Sequence, residues 1–169
     1  MAKKKSEKNI SKIDKLFLSA QQKLSISNCS IKKMKEYLFK KGGNKKEIEE
    51  VLTKLKKYSF LDEDEIIKNV ISYSDSKHYG YNKIIEMLKQ KEIDYKKIES
   101  IKLNPKREEK ESLELVKRLK KRYKNKNTVN LKRSIYSALI RYGYEQNIAS
   151  VRASEVFNIL RQEFPHNNL

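Results

Sequence analysis

One cysteine, two histidines, four glycines and two prolines in 169 residues leave this chain short of the residues from which most small active sites are made. Cys29 alone forms no internal disulfide, which points to a reducing compartment. His78 and His166, even taken with Cys29, show no metal-ligand spacing, and nothing in the helical pattern brings Cys29 and His78 together as a nucleophilic pair. So few glycines leave no G-x-x-x-x-G-K-S/T loop, and nucleotide binding by that device is unsupported. No apolar stretch approaches the roughly 20 residues that span a bilayer. The basic start, MAKKKSEKNI, is not followed by the apolar run of a signal peptide. These absences predict a soluble, cytoplasmic protein that is not an enzyme and uses no cofactor, metal or membrane.

What is present is helical and repeated. Residues 33–51 (KMKEYLFKKGGNKKEIEEV), 83–101 (KIIEMLKQKEIDYKKIESI) and 133–151 (RSIYSALIRYGYEQNIASV) each read as a helix, a tight break and a second helix. Leu38, Leu88 and Leu139 hold the same place in the three copies. Repeats of this size are too small to bury independent cores and must lean on one another. Hydrophobic and charged contents of 37% each suit thin helical layers better than a thick core. The expected fold is all-α, an elongated array of three tandem three-helix repeats.

The punctuation supports nine helices, at about 10–24, 31–41, 45–58, 63–74, 82–91, 95–101 and 106–123, a polar loop over 124–130, then two more from Leu131. The last either runs on toward Phe164 or gives way to a tenth. Expected boundaries are a basic, disordered tail over 1–9, repeats over 10–61, 62–104 and 105–152, and an extension over 153–169. Asn44 with Glu47 and Asp62 with Glu65 have capping-box spacing, and Pro105 follows Asn104 as a first-turn proline follows a cap. Gly42, Gly43 and Gly143 follow helices, and Gly80 precedes one, where freedom to take positive φ is useful. Apolar stripes at helical spacing run through Ile48, Val51, Leu52 and Leu55, through Ile66, Ile67, Val70 and Ile71, and through Leu115, Leu119 and Tyr123 with Leu113 and Val116. The acidic run at 62–65 could supply hard oxygen ligands, but first-turn carboxylates are favoured by the helix dipole by ~0.3–1 kcal/mol each, so capping explains it with less.

A formal charge of +18 points to a polyanion or an acidic protein surface, and its distribution is more informative than its size. Between Leu115 and Tyr144 the chain has ten Lys or Arg and no Asp or Glu. Solvated helix faces normally mix signs, so Lys117, Arg118, Lys120, Lys121 and Arg122 are candidate binding residues, extended by Lys132, Arg133 and Arg141 on the following helix. Lysine outnumbers arginine, which suits phosphates as point charges and disfavours base-specific readout. In KHYGYNKI (77–84) two readings stand side by side: a packed inter-helix turn, or an exposed edge where Lys77, Tyr79 and Lys83 meet a partner.

KHYGYNKI also resembles the K-G-Y-G-P-x-x-I signature of RecX proteins, with LKQKEI (88–93) where that family has L-x-Q-K-G-I. Upstream, YSFLDEDEI (58–66) is similar to G-Y-L-D-D-x-x-F, and SIKKMKEYLFKKG (30–42) to S-x-x-E-L-x-x-K-L-x-x-K-G. Downstream, SALIRYGYEQNI (137–148) resembles F-L-x-R-R-G-F-x-x-x-x-I. The resemblance covers about residues 20–151, and it departs at His78 and Glu92, where glycines are usual, and at Tyr81, where proline is. It implies a curved array of three-helix repeats that lies in the groove of the RecA filament on DNA and inhibits its ATP hydrolysis and strand exchange. Nonspecific DNA binding through phosphates is the main competing reading, a passive scaffold the third, and a monomer is expected from the high charge.

Overall fold

The computed structural model describes residues 11–123 and 128–163. Among these the chain is all helical: α1 (Lys12–Ile26), α2 (Ile31–Lys40), α3 (Lys45–Lys57), α4 (Glu63–Lys77), α5 (Tyr81–Gln90), α6 (Tyr95–Glu99), α7 (Pro105–Arg122), α8 (Thr128–Arg141) and α9 (Gln146–Glu163). One expectation is corrected, and one of two alternatives is met. Thr128, Val129 and Asn130 open α8 instead of ending a loop, since such residues cost a helix only tenths of a kcal/mol each. At the other end α9 runs unbroken to Glu163, without a separate tenth helix before it. The basic tail, Lys124, Lys126, Phe164, Pro165 and His166 lie outside the described residues.

Local chemistry sets most helix starts. Asn44 and Glu47 form the reciprocal capping box at α3, and Asn104 caps α7 ahead of Pro105. Asp62 accepts from the N–H groups of Asp64 (2.8 Å) and Glu65 (3.3 Å), which accounts for the acidic run as a cap.

The described residues form two compact units, one drawn from 1–67 with 91–94, the other from 68–90 with 95–169. In the first, α1, α2 and α3 pack around Leu16, Ala20, Met34, Leu38, Val51, Leu52 and Leu55. In the second, α7, α8 and α9 enclose Leu115, Val116, Leu119, Leu131, Ile135, Leu139, Tyr144 and Val156. Leu113 does not join this core: two residues from Leu115, it points away and is exposed. Leu38, Leu88 and Leu139 are each 0% exposed, as equivalent core positions should be.

Four helix ends, those of α2, α3, α4 and α8, share one device, in which a residue with positive φ turns the chain and two amides return to the last carbonyls. Gly43 N–H bonds Leu38 C=O with Gly42 at φ 84, and Tyr144 N–H bonds Leu139 C=O with Gly143 at φ 88. The same closure is made without glycine at Ser59 (φ 56) and His78 (φ 56), and Glu92 (φ 58) takes the left-handed conformation after α5. Gly80 is absent from the positive-φ positions, so its glycine answers a different need, described below. A side chain in this region costs roughly 1–2 kcal/mol, partly offset because glycine is freer in the unfolded chain. Ser59→Gly is therefore expected to stabilise by about 0.5–1 kcal/mol and to raise the melting temperature by about 2–4 °C. An unchanged or lower melting temperature by circular dichroism would contradict that reading of the turn.

Candidate partner interface

The KHYGYNKI turn is held from several sides. His78 Nδ1 lies 2.5 Å from Glu111 Oε2, and the His78 carbonyl accepts from the Tyr144 hydroxyl at 3.0 Å. Burial pushes the Tyr144 phenol far above its ordinary pKa, which keeps it a donor. Arg107 bonds Asp75 (2.6 Å) and the Tyr79 carbonyl (3.2 Å), while Glu108 accepts from the Tyr81 N–H (2.9 Å). Gly80 N–H donates to Tyr142 C=O and Asn82 N–H to Gly143 C=O, so two backbone segments touch with no room for a side chain. A Cβ on Gly80 would stand 2.5 Å from the Gly143 oxygen.

Of the three candidates here, Tyr79 is half-buried, its ring 6.2 Å from Tyr73 and 5.5 Å from Tyr142. Lys83 pairs with Glu86 at 2.7 Å, and that hydrogen bond raises its pKa. Lys77 is exposed, its ammonium 5.7 Å over the Tyr73 ring. Arg107, Glu108 and Glu111 were not singled out from the sequence, although their spacing on α7 places all three on one face.

The basic candidates are differently placed. Arg118, Lys121 and Arg122 are exposed on α7, flanking the buried Leu115, Val116 and Leu119. Lys120 is half-buried, and Lys117 is exposed but tied to Glu114 at 2.7 Å. On α8, Arg133 and Arg141 are exposed, and Lys132 is half-buried with its ammonium 5.1 Å over the Phe157 ring. Among the described residues no carboxylate is paired with Arg118, Lys120, Lys121, Arg122, Arg133 or Arg141. A cleft of about 400 Å³ between α8 and α9 is lined by Val129, Lys132, Arg133, Tyr136, Ser137 and Ser150. No sequence motif marks it, because its walls come from two helices.

Among the described residues no three His, Cys, Asp or Glu side chains gather as a metal site would need. Burial pushes the Cys29 thiol up, away from the reactive thiolate. No described helix is long and apolar enough to cross a membrane.

No protein-family model matches the sequence, and no curated protein matches it. The crystal structure of RecX from Lactobacillus salivarius superposes with a TM-score of 0.73, covering 85% of this chain and 96% of that one at 20% sequence identity. The chain has the RecX fold.

Proposed function

We propose that the chain is a RecX-like regulator that binds the groove of the RecA–DNA filament and inhibits its ATP hydrolysis and strand exchange, modulating recombination and DNA repair. It acts by its surface, through three helical modules, and performs no bond chemistry. The observation that carries the reading is the acid-free basic stretch 115–144, from the C-terminal half of α7 through α8, standing on a RecX fold. Holding those cations together costs self-repulsion that an anionic partner relieves. Cosedimentation with preformed RecA–DNA filaments tests it: saturable binding that suppresses strand exchange is expected, and absence of the protein from the pellet would refute it.

The same cations favour nonspecific DNA binding as the second reading. Six phosphates neutralised by Arg118, Lys120, Lys121, Arg122, Arg133 and Arg141 would give a slope of about −5 in log affinity against log salt for bare duplex. A nearly flat dependence on bare DNA would remove that alternative and leave the filament as the target.

A further inference from the structure

The opening turns of α2 and α5 are occupied in the same way. Ile31 N–H donates to the Glu63 carboxylate at 2.9 Å, and Tyr81 N–H donates to Glu108 at 2.9 Å. One residue on, Lys32 pairs with Glu92 at 3.0 Å, and Asn82 N–H donates to the Gly143 carbonyl at 3.0 Å. Glu92 and Gly143 hold the same place in their turns, counted from Leu88 and Leu139. Each opening turn thus receives a glutamate from the next long helix, α4 or α7, and an oxygen from the next turn. Counted back from Leu139, the corresponding residues of α8 are Lys132 and Arg133, but α8 opens one turn earlier, at Thr128, so their amides bond within the helix and what can receive a carboxylate there is the side chain, as at Lys32. Both are cations, and no described carboxylate is paired with either.

We propose that the α8–α9 cleft is a docking site for an acidic helical segment of a partner protein, whose carboxylates pair with the Lys132 and Arg133 side chains as Glu92 pairs with Lys32. The charge is complementary, since α8 contains no acid and Glu155 of α9 is tied to Arg152 at 3.0 Å. Residues 164–169 also contain none, so those residues bring no side-chain carboxylate to it. Lys132 is already positioned by the Phe157 ring, which lowers the cost of ordering it. The Ser137, Ser150 and Tyr136 hydroxyls are further donors, and Val129 offers an apolar contact for a helix face. At the register of Arg133 the Lys32 ammonium is met by a side-chain carboxylate of the next repeat, Glu92, which favours a protein segment over a nucleic acid. The inference deepens the proposed function and rests on it for the partner being a protein.

The probe is a fluorescein-labelled peptide with the sequence of residues 61–74 (LDEDEIIKNVISYS), titrated with the full chain and followed by anisotropy. Saturable binding is expected, weakened about tenfold by Arg133→Glu or Lys132→Glu. Replacement of the peptide's Asp62, Glu63, Asp64 and Glu65 by Asn and Gln abolishes it, whereas Arg118→Glu/Lys121→Glu/Arg122→Glu leaves it within about threefold, apart from general charge screening. Circular dichroism confirms that each variant is folded, and Arg133, being exposed, supplies the variant least able to disturb the core. Absence of saturable binding, or binding indifferent to both α8 variants, overturns the proposal. So does an oligothymidylate that binds in place of the peptide and is lost in Arg133→Glu, which would make the cleft a nucleic-acid site. A dimer by sedimentation that the same variant dissociates would assign it to a second copy of the chain and also overturn it. If the peptide fails while the wild type still binds RecA filaments, only this inference falls; if the peptide binds and filaments do not, the regulator reading falls instead.

Discussion

Arg118→Glu/Lys121→Glu/Arg122→Glu is expected to abolish useful binding to the RecA–DNA filament while leaving the helix content unchanged. Each substitution changes the local charge by two units. At about 6 Å from a partner charge in a water-like dielectric, that is about 1.4 kcal/mol. Screening at physiological salt reduces it by about half. Three such changes sum to about 2 kcal/mol, or about 30-fold in affinity. The fold should survive, because the side chains are exposed and the core side of α7, carried by Leu115, Val116 and Leu119, is untouched. The cost of acids in a C-terminal helical turn is only ~0.3–1 kcal/mol each. Lys40→Glu/Lys45→Glu/Lys46→Glu supplies the control, since it makes the same change of net charge on exposed residues of α2 and α3. Filament cosedimentation should separate the two triple variants; equal losses would mean that total charge matters and the α7 surface does not.

Gly143→Ala and Gly42→Ala should differ sharply although both glycines close a helix in the same way. Both take positive φ, 84 at Gly42 and 88 at Gly143, and both therefore oppose a side chain. Around Gly42 a Cβ meets nothing within 4 Å. At Gly143 it would run into the backbone nitrogen of Lys83 and stand 2.6 Å from the Lys83 Cβ. Gly42→Ala should cost about 1 kcal/mol. Gly143→Ala adds an overpacking cost and is expected to lose about 3 kcal/mol or more. In thermal unfolding these correspond to falls of about 2–4 °C and about 6–12 °C. Similar shifts for the two variants would show that the approach of Gly143 to the Lys83 backbone is not as close as described.

What could be read from the sequence was local. The Asn44–Glu47 box, the Asp62 cap and the Asn104–Pro105 start each depend on residues within one helical turn, so their spacing suffices. The exposure of Arg118, Lys121 and Arg122 likewise follows from the periodicity of Leu115, Val116 and Leu119. Gly80 illustrates the limit. A glycine before a helix suggests positive φ, but that conformation falls on His78, and Gly80 is small because the Gly143 backbone, distant in sequence, presses against it. The partners of Arg107, Glu108 and Glu111 are also distant in sequence, so a run of mixed charge concealed a clasp around the KHYGYNKI turn. Tyr79 illustrates the consequence: its segment could be read either as a packed turn or as an edge for a partner, and the rings on its two sides come from residues the spacing does not reveal. The α8–α9 cleft was hidden for the same reason, its walls being contributed by two helices.

The regulator reading is tested most directly by ATP turnover of preformed RecA–DNA filaments titrated with this protein. It predicts inhibition at amounts too small to coat the DNA, with the α7 triple variant inert. Inhibition that begins only when the DNA is saturated, or that persists undiminished in the folded triple variant, would contradict it.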